Sequence, residues 1–321
     1  MRVSIVIVSW NVRKDLNLCL RSIFSNPPEG EVEILVVDNH SSDDTVGYIS
    51  REFPHVRLIC NSENLGFAAA NNVGIKEAKG KYLFLLNPDT EVFPGSIDKL
   101  LNFLENHPDI GICGAKLLNK DGSVQASVRG FPTFRAALYS YTILRYLRLF
   151  RKQYKQWISK DQDSTRPRSV EQLMGAAVLI PREIIEKVGL FDESFFMYYE
   201  EVDLCYRIQK AGYKIFYFPE SVIMHRGGSS SGQVPDKVHY MRLCSLLHFF
   251  RKYRNSVACF LFSVFLKAGL LIKYWLDIAW CALLVVLGLI TLDNRRVTKN
   301  HRRMASLFRF YVYYYPKLLL K

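Results

Sequence analysis

Seven cysteines at positions 19, 60, 113, 205, 244, 259 and 281 form no C-x-x-C pair and no regular spacing. A zinc knuckle or a disulfide framework is therefore excluded, and the pattern fits a reducing compartment. The first strand is followed by SWNVRKD, which holds no glycine-rich phosphate loop, so a nucleotidyltransferase reading is disfavoured. No internal repeat or low-complexity tract is visible. The opening MRVSIVIVSW is a strand-length apolar run without a small-residue cleavage site, and it reads as a buried strand, not a signal peptide. The longest uncharged apolar run, Ile278–Leu292, has 15 residues, short of the roughly 20 that span a bilayer.

What is present is charge of one sign, unevenly placed. The 321 residues carry a net charge of +13. Arg129 to Arg182 hold 11 basic and 3 acidic residues, and Arg242 to Lys321 hold 14 and 2, which leaves the remainder at −7. An acidic body joined to basic, apolar and aromatic appendages suits an anionic membrane surface better than nucleic acid. Two parts are expected: residues 1–240 as a catalytic domain carrying a basic aromatic insertion at about 129–168, and 241–321 as a membrane-associating helical region.

The first 90 residues alternate apolar runs with helical patterns. VSIVIVSW, VEILVVD, VRLICN and KYLFLLNPD read as strands. Between them, a helix with Leu16, Cys19, Leu20 and Ile23 on its apolar face, then SSDDTVGYISREF and GFAAANNVGIKEAKG, read as helices. This order predicts an α/β fold with a mostly parallel sheet covered on both faces. Ligands then bind beyond the carboxyl ends of the strands, where Asp38 and Asp89 stand. Asp121-Gly122 marks a hairpin turn.

Residues 191–228, FDESFFMYYEEVDLCYRIQKAGYKIFYFPESVIMHRGG, concentrate chemistry. Glu200, Glu201 and Asp203 crowd behind an aromatic run, and an acid cluster can supply a general base. A lone histidine, His225, enters a Gly-Gly bend, where it can reach a metal or a phosphate. Each feature has a plainer reading: helix-dipole acids, an Asp203–Arg207 surface pair, a structural histidine.

The ordered pieces VSIVIVSWN, EILVVDNHSSDDT, NLGFAAANNVGI, YLFLLNPDTEV, GAAVLIPREIIEKVGLFDESFFMYYEEVDLCYRIQKAGY and HRGGSS, over about residues 3–230, resemble the family 2 glycosyltransferases. That family has the GT-A fold, and the likeness is to the rhamnosyltransferase-like branch of bacterial surface-polysaccharide synthesis. The resemblance implies that Asp38 binds the nucleotide base, with Ser9, Asn11 and Asn39 lining the pocket and Asn64, Gly66 and Asn71 beside it. NPD matches the family's D-x-D motif, so Asp89 would hold Mg²⁺ or Mn²⁺, with Asn87 at the first acid position and His225 completing the shell. EEVD matches E-D-x-D, which makes Glu201 the base, supported by Glu200 and Asp203. The aromatic run Phe195 to Tyr199 would wall the acceptor or sugar ring.

The implied activity is inverting transfer from a nucleotide diphosphate sugar, with thymidine-diphosphate rhamnose as first choice, to a lipid-linked saccharide. A uridine-diphosphate hexose donor, and a non-catalytic assembly partner, are the alternatives. The expected place is the cytoplasmic face of the cell membrane. There two helices within 256–292 would dip into one leaflet, in preference to one spanning helix near 274–292.

Overall fold

The computed structural model describes residues 1–158, 164–291 and 293–321. In chain order the elements are β1 (Val3–Ser9), α1 (Arg13–Ser25), β2 (Val32–Asp38), α2 (Thr45–Glu52), β3 (Arg57–Cys60), α3 (Phe67–Glu77), β4 (Tyr82–Leu86), β5 (Thr90–Val92), α4 (Ser96–Glu105), β6 (Ile110–Leu118) and β7 (Val128–Arg129). There follow α5 (Phe134–Tyr141), α6 (Arg151–Trp157), β8 (Arg168–Val170), β9 (Gln172–Leu173), β10 (Ala177–Pro181), α7 (Arg182–Val188), α8 (Glu200–Lys210) and β11 (Lys214–His225). The chain closes with α9 (Pro235–Tyr253), α10 (Ser256–Ile290), α11 (Asn294–Arg309) and α12 (Tyr315–Leu319).

Two compact units result, Met1–Phe131 with Ile158–Gln233, and Pro132–Trp157 with Val234–Lys321. The segment read from sequence as an insertion in the catalytic domain thus clusters with the C-terminal helices.

The first unit is built on a mixed sheet in the order β3-β2-β1-β4-β10-β6-β11-β5, with β8 also paired to β11. Strands β3, β2, β1 and β4 run parallel, and β10 is antiparallel to both its neighbours. The inner strands are apolar on both faces because both are covered. Val3, Ile5 and Ile7 of β1 pack with Leu16, Cys19, Leu20 and Ile23 of α1, whereas Val6 joins the opposite layer with Leu35, Leu83 and Leu85. That alternation follows from the two-residue period of a strand. Strand β11 pairs parallel with β6, shifts register between Phe218 and Val222 across Pro219, and then pairs antiparallel with β5, setting His225 opposite Thr90. A proline cannot donate to a ladder, so a bulge is where it is tolerated.

In the second unit, α10 is one uninterrupted helix of 35 residues, about 52 Å long. This corrects the expectation of two short helices. The charges that interrupt the apolar sequence do not break the helix because each finds a partner inside the unit. Lys273 pairs with Asp277 at 2.7 Å, Asp277 also accepts from the Tyr146 hydroxyl at 2.8 Å, and Lys267 reaches the Leu319 carbonyl at 3.2 Å. The start is capped by Asn255, whose side chain accepts from the amides of Val257 and Ala258.

One stripe of α10 is buried: Cys259, Phe262, Leu266, Leu270, Tyr274, Asp277, Cys281 and Gly288. Helix α11 and the segment after it return along this stripe. Val297 sits where a side chain on Gly288 would collide, the Phe310 ring stacks on Tyr274, and the Tyr315 hydroxyl donates to the Lys267 carbonyl.

Candidate active site

Three groups of residues meet at one end of the sheet. The first lies where β1 and β2 end. Asp38 is buried; its Oδ2 accepts from the Ser41 amide at 2.9 Å, while Oδ1 has no hydrogen-bond partner. The Ser9 hydroxyl is also buried without a partner. Asn11, in the left-handed region at φ 54°, accepts from the Ser42 amide at 2.7 Å and donates its own amide to the Ser41 hydroxyl. Asp38 and Asn11 are thereby tied to one polar loop. A buried acceptor without a donor costs free energy, and Asp38 Oδ1 has the capacity to accept a further N–H.

The other residues of this group hold the loop in place. Asn39 donates to Asn64 Oδ1 and the Gly66 carbonyl, and accepts from Asn61 Nδ2 and the Leu65 amide. Asn71 donates back to the Phe67 carbonyl within α3. Gly66 sits at φ 85°, and a Cβ there would lie 2.3 Å from the Phe196 carbonyl oxygen. That same oxygen accepts the Phe67 amide at 2.7 Å, which binds the aromatic run to the start of α3.

The second group is the NPD turn between β4 and β5. The β5–β11 register carries His225 to this turn across 136 residues of sequence from Asp89. His225 Nε2 lies 3.2 Å from Asp89 Oδ1 and 3.3 Å from Asn87 Nδ2, with both Asp89 and His225 buried. Burial opposes ionisation of Asp89, yet the hydrogen bond and charge of His225 hold it below the ordinary carboxylate value. Asn87 Oδ1 is buried with no hydrogen-bond partner.

Two oxygens and an imidazole nitrogen form a donor set suited to Mg²⁺ or Mn²⁺. Among the described residues no three His, Cys, Asp or Glu side chains converge on a metal position. Asp89 and His225 are two such side chains, and the Asn87 amide oxygen would be the third donor. Sequence reasoning had no signal for Gln125, whose Oε1 lies 2.7 Å from His225 Nδ1, or for Arg226, which pairs with Asp15 and Glu91.

The third group opens α8. Tyr198 and Tyr199 are both left-handed, at φ 69° and 70°. Consecutive bulky residues there store strain of about 1–3 kcal/mol each, and they turn the chain sharply into the acids. Three acids, close in sequence, end in three environments. Asp203 is fully buried and pairs with Arg207 at 2.8 Å. Arg207 in turn donates to the carbonyls of Val188, Gly189 and Leu190, closing the end of α7. Glu200 is buried with Oε2 unpartnered, and burial, with Glu201 adding, raises its proton affinity well above that of an ordinary carboxyl.

Glu201 is the half-exposed member of the three, packed with its Cβ against Gly175. Gly175 precedes β10, whose Ala177 pairs with Leu86, and the Asn87 amide donates to the Ala176 carbonyl. Glu201 therefore lies at the same sheet end as the NPD turn. Of the aromatic run, Phe195 and Tyr199 are core, while Phe196, Met197 and Tyr198 reach solvent in part.

The sequence profile of the family described as Glycosyl transferase family 2 matches residues 4–188. An N-acetylglucosaminyl-diphospho-decaprenol L-rhamnosyltransferase of Mycobacterium tuberculosis is 33% identical over 244 residues, covering 72% of this chain and 78% of that protein. A low-salt glycan biosynthesis hexosyltransferase of Haloferax volcanii is 27% identical, over 66% of this chain and 63% of its own. A solved mannosyltransferase from Pyrobaculum calidifontis, in complex with GDP-Man and Mn²⁺, superposes with a TM-score of 0.56 at 16% identity, over 97% of this chain and 86% of that one.

Proposed function

Because this chain belongs to Glycosyl transferase family 2, we propose that it transfers a sugar, with inversion, from a nucleotide diphosphate donor to a lipid-linked saccharide. Thymidine-diphosphate rhamnose is the donor favoured by the 33% identity to an L-rhamnosyltransferase whose name specifies a lipid-diphosphate saccharide. The observation that carries the reading is the meeting, at one sheet end, of Glu201, the least buried of the three acids, with the Asp89–His225 pair and the unpartnered Asp38 Oδ1.

Each residue then has a task. Asp38 accepts the imide N–H of a thymine or uracil. Asn87, Asp89 and His225 would hold a divalent ion, whose charge would stabilise the leaving diphosphate. Glu201 takes the proton of the acceptor hydroxyl as its oxygen bonds to the anomeric carbon and the carbon–phosphate-oxygen bond breaks on the opposite face. Burial, with Glu201 adding, raises the proton affinity of Glu200, so Glu200 is not the acid chosen for the base.

The second unit supports a place on the cytoplasmic face of the cell membrane. The outer stripe of α10 exposes Phe260, Phe265, Trp275, Trp280, Leu283 and Ile290. The loop after α5 exposes Tyr146, Leu147 and Leu149 among Arg145, Arg148 and Arg151. By length and composition α10 is long enough to cross a bilayer. Its inner stripe, however, is covered by the arginine-rich α11, which would have to enter hydrocarbon with it at several kcal/mol per charge. Lying in the interface, α10 buries its outer stripe and leaves the basic residues for anionic headgroups.

The test is turnover of purified enzyme with a lipid-diphosphate saccharide and a panel of thymidine-, uridine- and guanosine-diphosphate sugars, with and without Mn²⁺. Transfer from thymidine-diphosphate rhamnose alone is expected. Transfer from a uridine-diphosphate hexose replaces the donor assignment, and no transfer from any donor overturns the enzymatic reading.

A further inference from the structure

The orientation of His225 is held from outside the set of proposed ion ligands. Gln125 Nε2 lies 3.2 Å from the backbone carbonyl of His225 and 2.9 Å from Asn119 Oδ1. A backbone carbonyl can only accept, so the nitrogen of the Gln125 amide must face it. Oε1 is thereby turned to His225 Nδ1, at 2.7 Å.

The rest of the turn points the same way. Asn119 Nδ2 donates to the Ser123 hydroxyl at 2.9 Å, and that hydroxyl donates to Asp121 Oδ1 at 2.6 Å. Its Ser123 bonds hold Asp121 below the ordinary carboxylate value, so it ends the chain as a pure acceptor. Apart from the Gln125 Nε2 bond to the His225 carbonyl, the side-chain donors run from His225 toward Asp121. The Gln125 backbone is pinned as well, its amide donating to the Leu117 carbonyl at 2.8 Å.

We propose that Gln125 is a positioning residue that fixes His225 as the Nδ1–H tautomer and presents the Nε2 lone pair to the ion held with Asp89 and Asn87. The assignment rests on the glycosyltransferase reading only for the identity of the ion site; the tautomer itself is a property of the chain. It gives the Asp121-Gly122 turn a task that its sequence does not announce. Partners of this kind behind metal-binding histidines change metal affinity by about 10–100-fold when removed.

Two measurements test it, neither of them sugar transfer. In protein carrying ¹⁵N-histidine, long-range proton–nitrogen correlation is expected to show Nδ1 of His225 protonated with and without metal, and Nε2, which faces Asp89 at 3.2 Å, bare once Mg²⁺ and nucleoside diphosphate are added. A wild-type spectrum with Nδ1 bare in either state overturns the proposal without recourse to any variant. Mn²⁺ titration in the presence of nucleoside diphosphate, by calorimetry or by loss of the free-ion paramagnetic signal, is then compared across variants. Gln125→Leu should weaken Mn²⁺ by about 10–100-fold. Equal Mn²⁺ affinity in wild type and Gln125→Leu sinks it. If wild-type protein binds no Mn²⁺ with the diphosphate, the proposed metal-dependent reaction fails, and the tautomer measurement still decides the role of Gln125.

Discussion

At the scale of residues, Glu201 and Asp203 are two positions apart and do different work. Glu201 is half-exposed at the sheet end, whereas Asp203 is fully buried against Arg207. Glu201→Gln is expected to keep the fold and nucleotide affinity and to lower turnover about a hundredfold or more, the usual worth of a positioned general base. A variant that turns over normally removes Glu201 from the chemistry. Asp203→Asn should instead cost about 3 kcal/mol in chemical denaturation, the low end for breaking a buried pair, because an asparagine oxygen still accepts from Arg207. Glu200 differs again. Its raised proton affinity means that the folded state holds a proton the unfolded chain releases. Its contribution to stability is therefore complete below the ordinary value of 4.5 and declines as pH rises toward the folded value. Melting curves from pH 4 to 8 should show wild type losing ground to Glu200→Gln as pH increases; parallel curves refute the burial argument.

At the scale of elements, the site depends on a contact between two loops. The Phe196 carbonyl takes the Phe67 amide and passes over Gly66, where no side chain fits. Gly66→Ala adds a clash to a left-handed backbone, so it should destabilise by more than about 1 kcal/mol and weaken nucleoside diphosphate binding. Denaturant midpoints and calorimetry read the two effects. A fully stable Gly66→Ala with unchanged affinity would mean that the loop yields at no cost. The left-handed pair Tyr198 and Tyr199 belongs to the same device: strain held by surrounding packing sets where α8 begins and therefore where its acids stand.

At the scale of the whole molecule, the uneven charge and the long outer stripe of α10 belong to one reading, attachment without crossing. Trp275 and Trp280 are each 56% exposed on that stripe. Their emission should shift blue and be quenched by brominated lipid when anionic vesicles are added. Binding should weaken with salt, since each basic residue near the surface contributes about 1 kcal/mol. In intact cells a thiol label applied from outside should not reach a tag placed after Lys321. If it does, α10 crosses the bilayer and α11 must leave it.

The order of strands and helices up to Asp89 was legible in the chain, because covered strands are continuously apolar and a surface helix keeps one apolar stripe. Leu16, Cys19, Leu20 and Ile23 were read correctly as the buried face of α1 for that reason. The candidate acids were legible as residue types, through the family pattern. The surroundings each of them meets were not. The sequence carries no mark that sends Asp203 inward to Arg207 and leaves Glu201 part-exposed, that places Gln125 behind His225, or that lets α10 run unbroken through Lys267, Lys273 and Asp277. Those outcomes depend on partners far along the chain, brought within about 3 Å by strand register and helix packing. A charge or an amide is functional or structural according to which partner it meets, and only the tertiary structure decides that meeting.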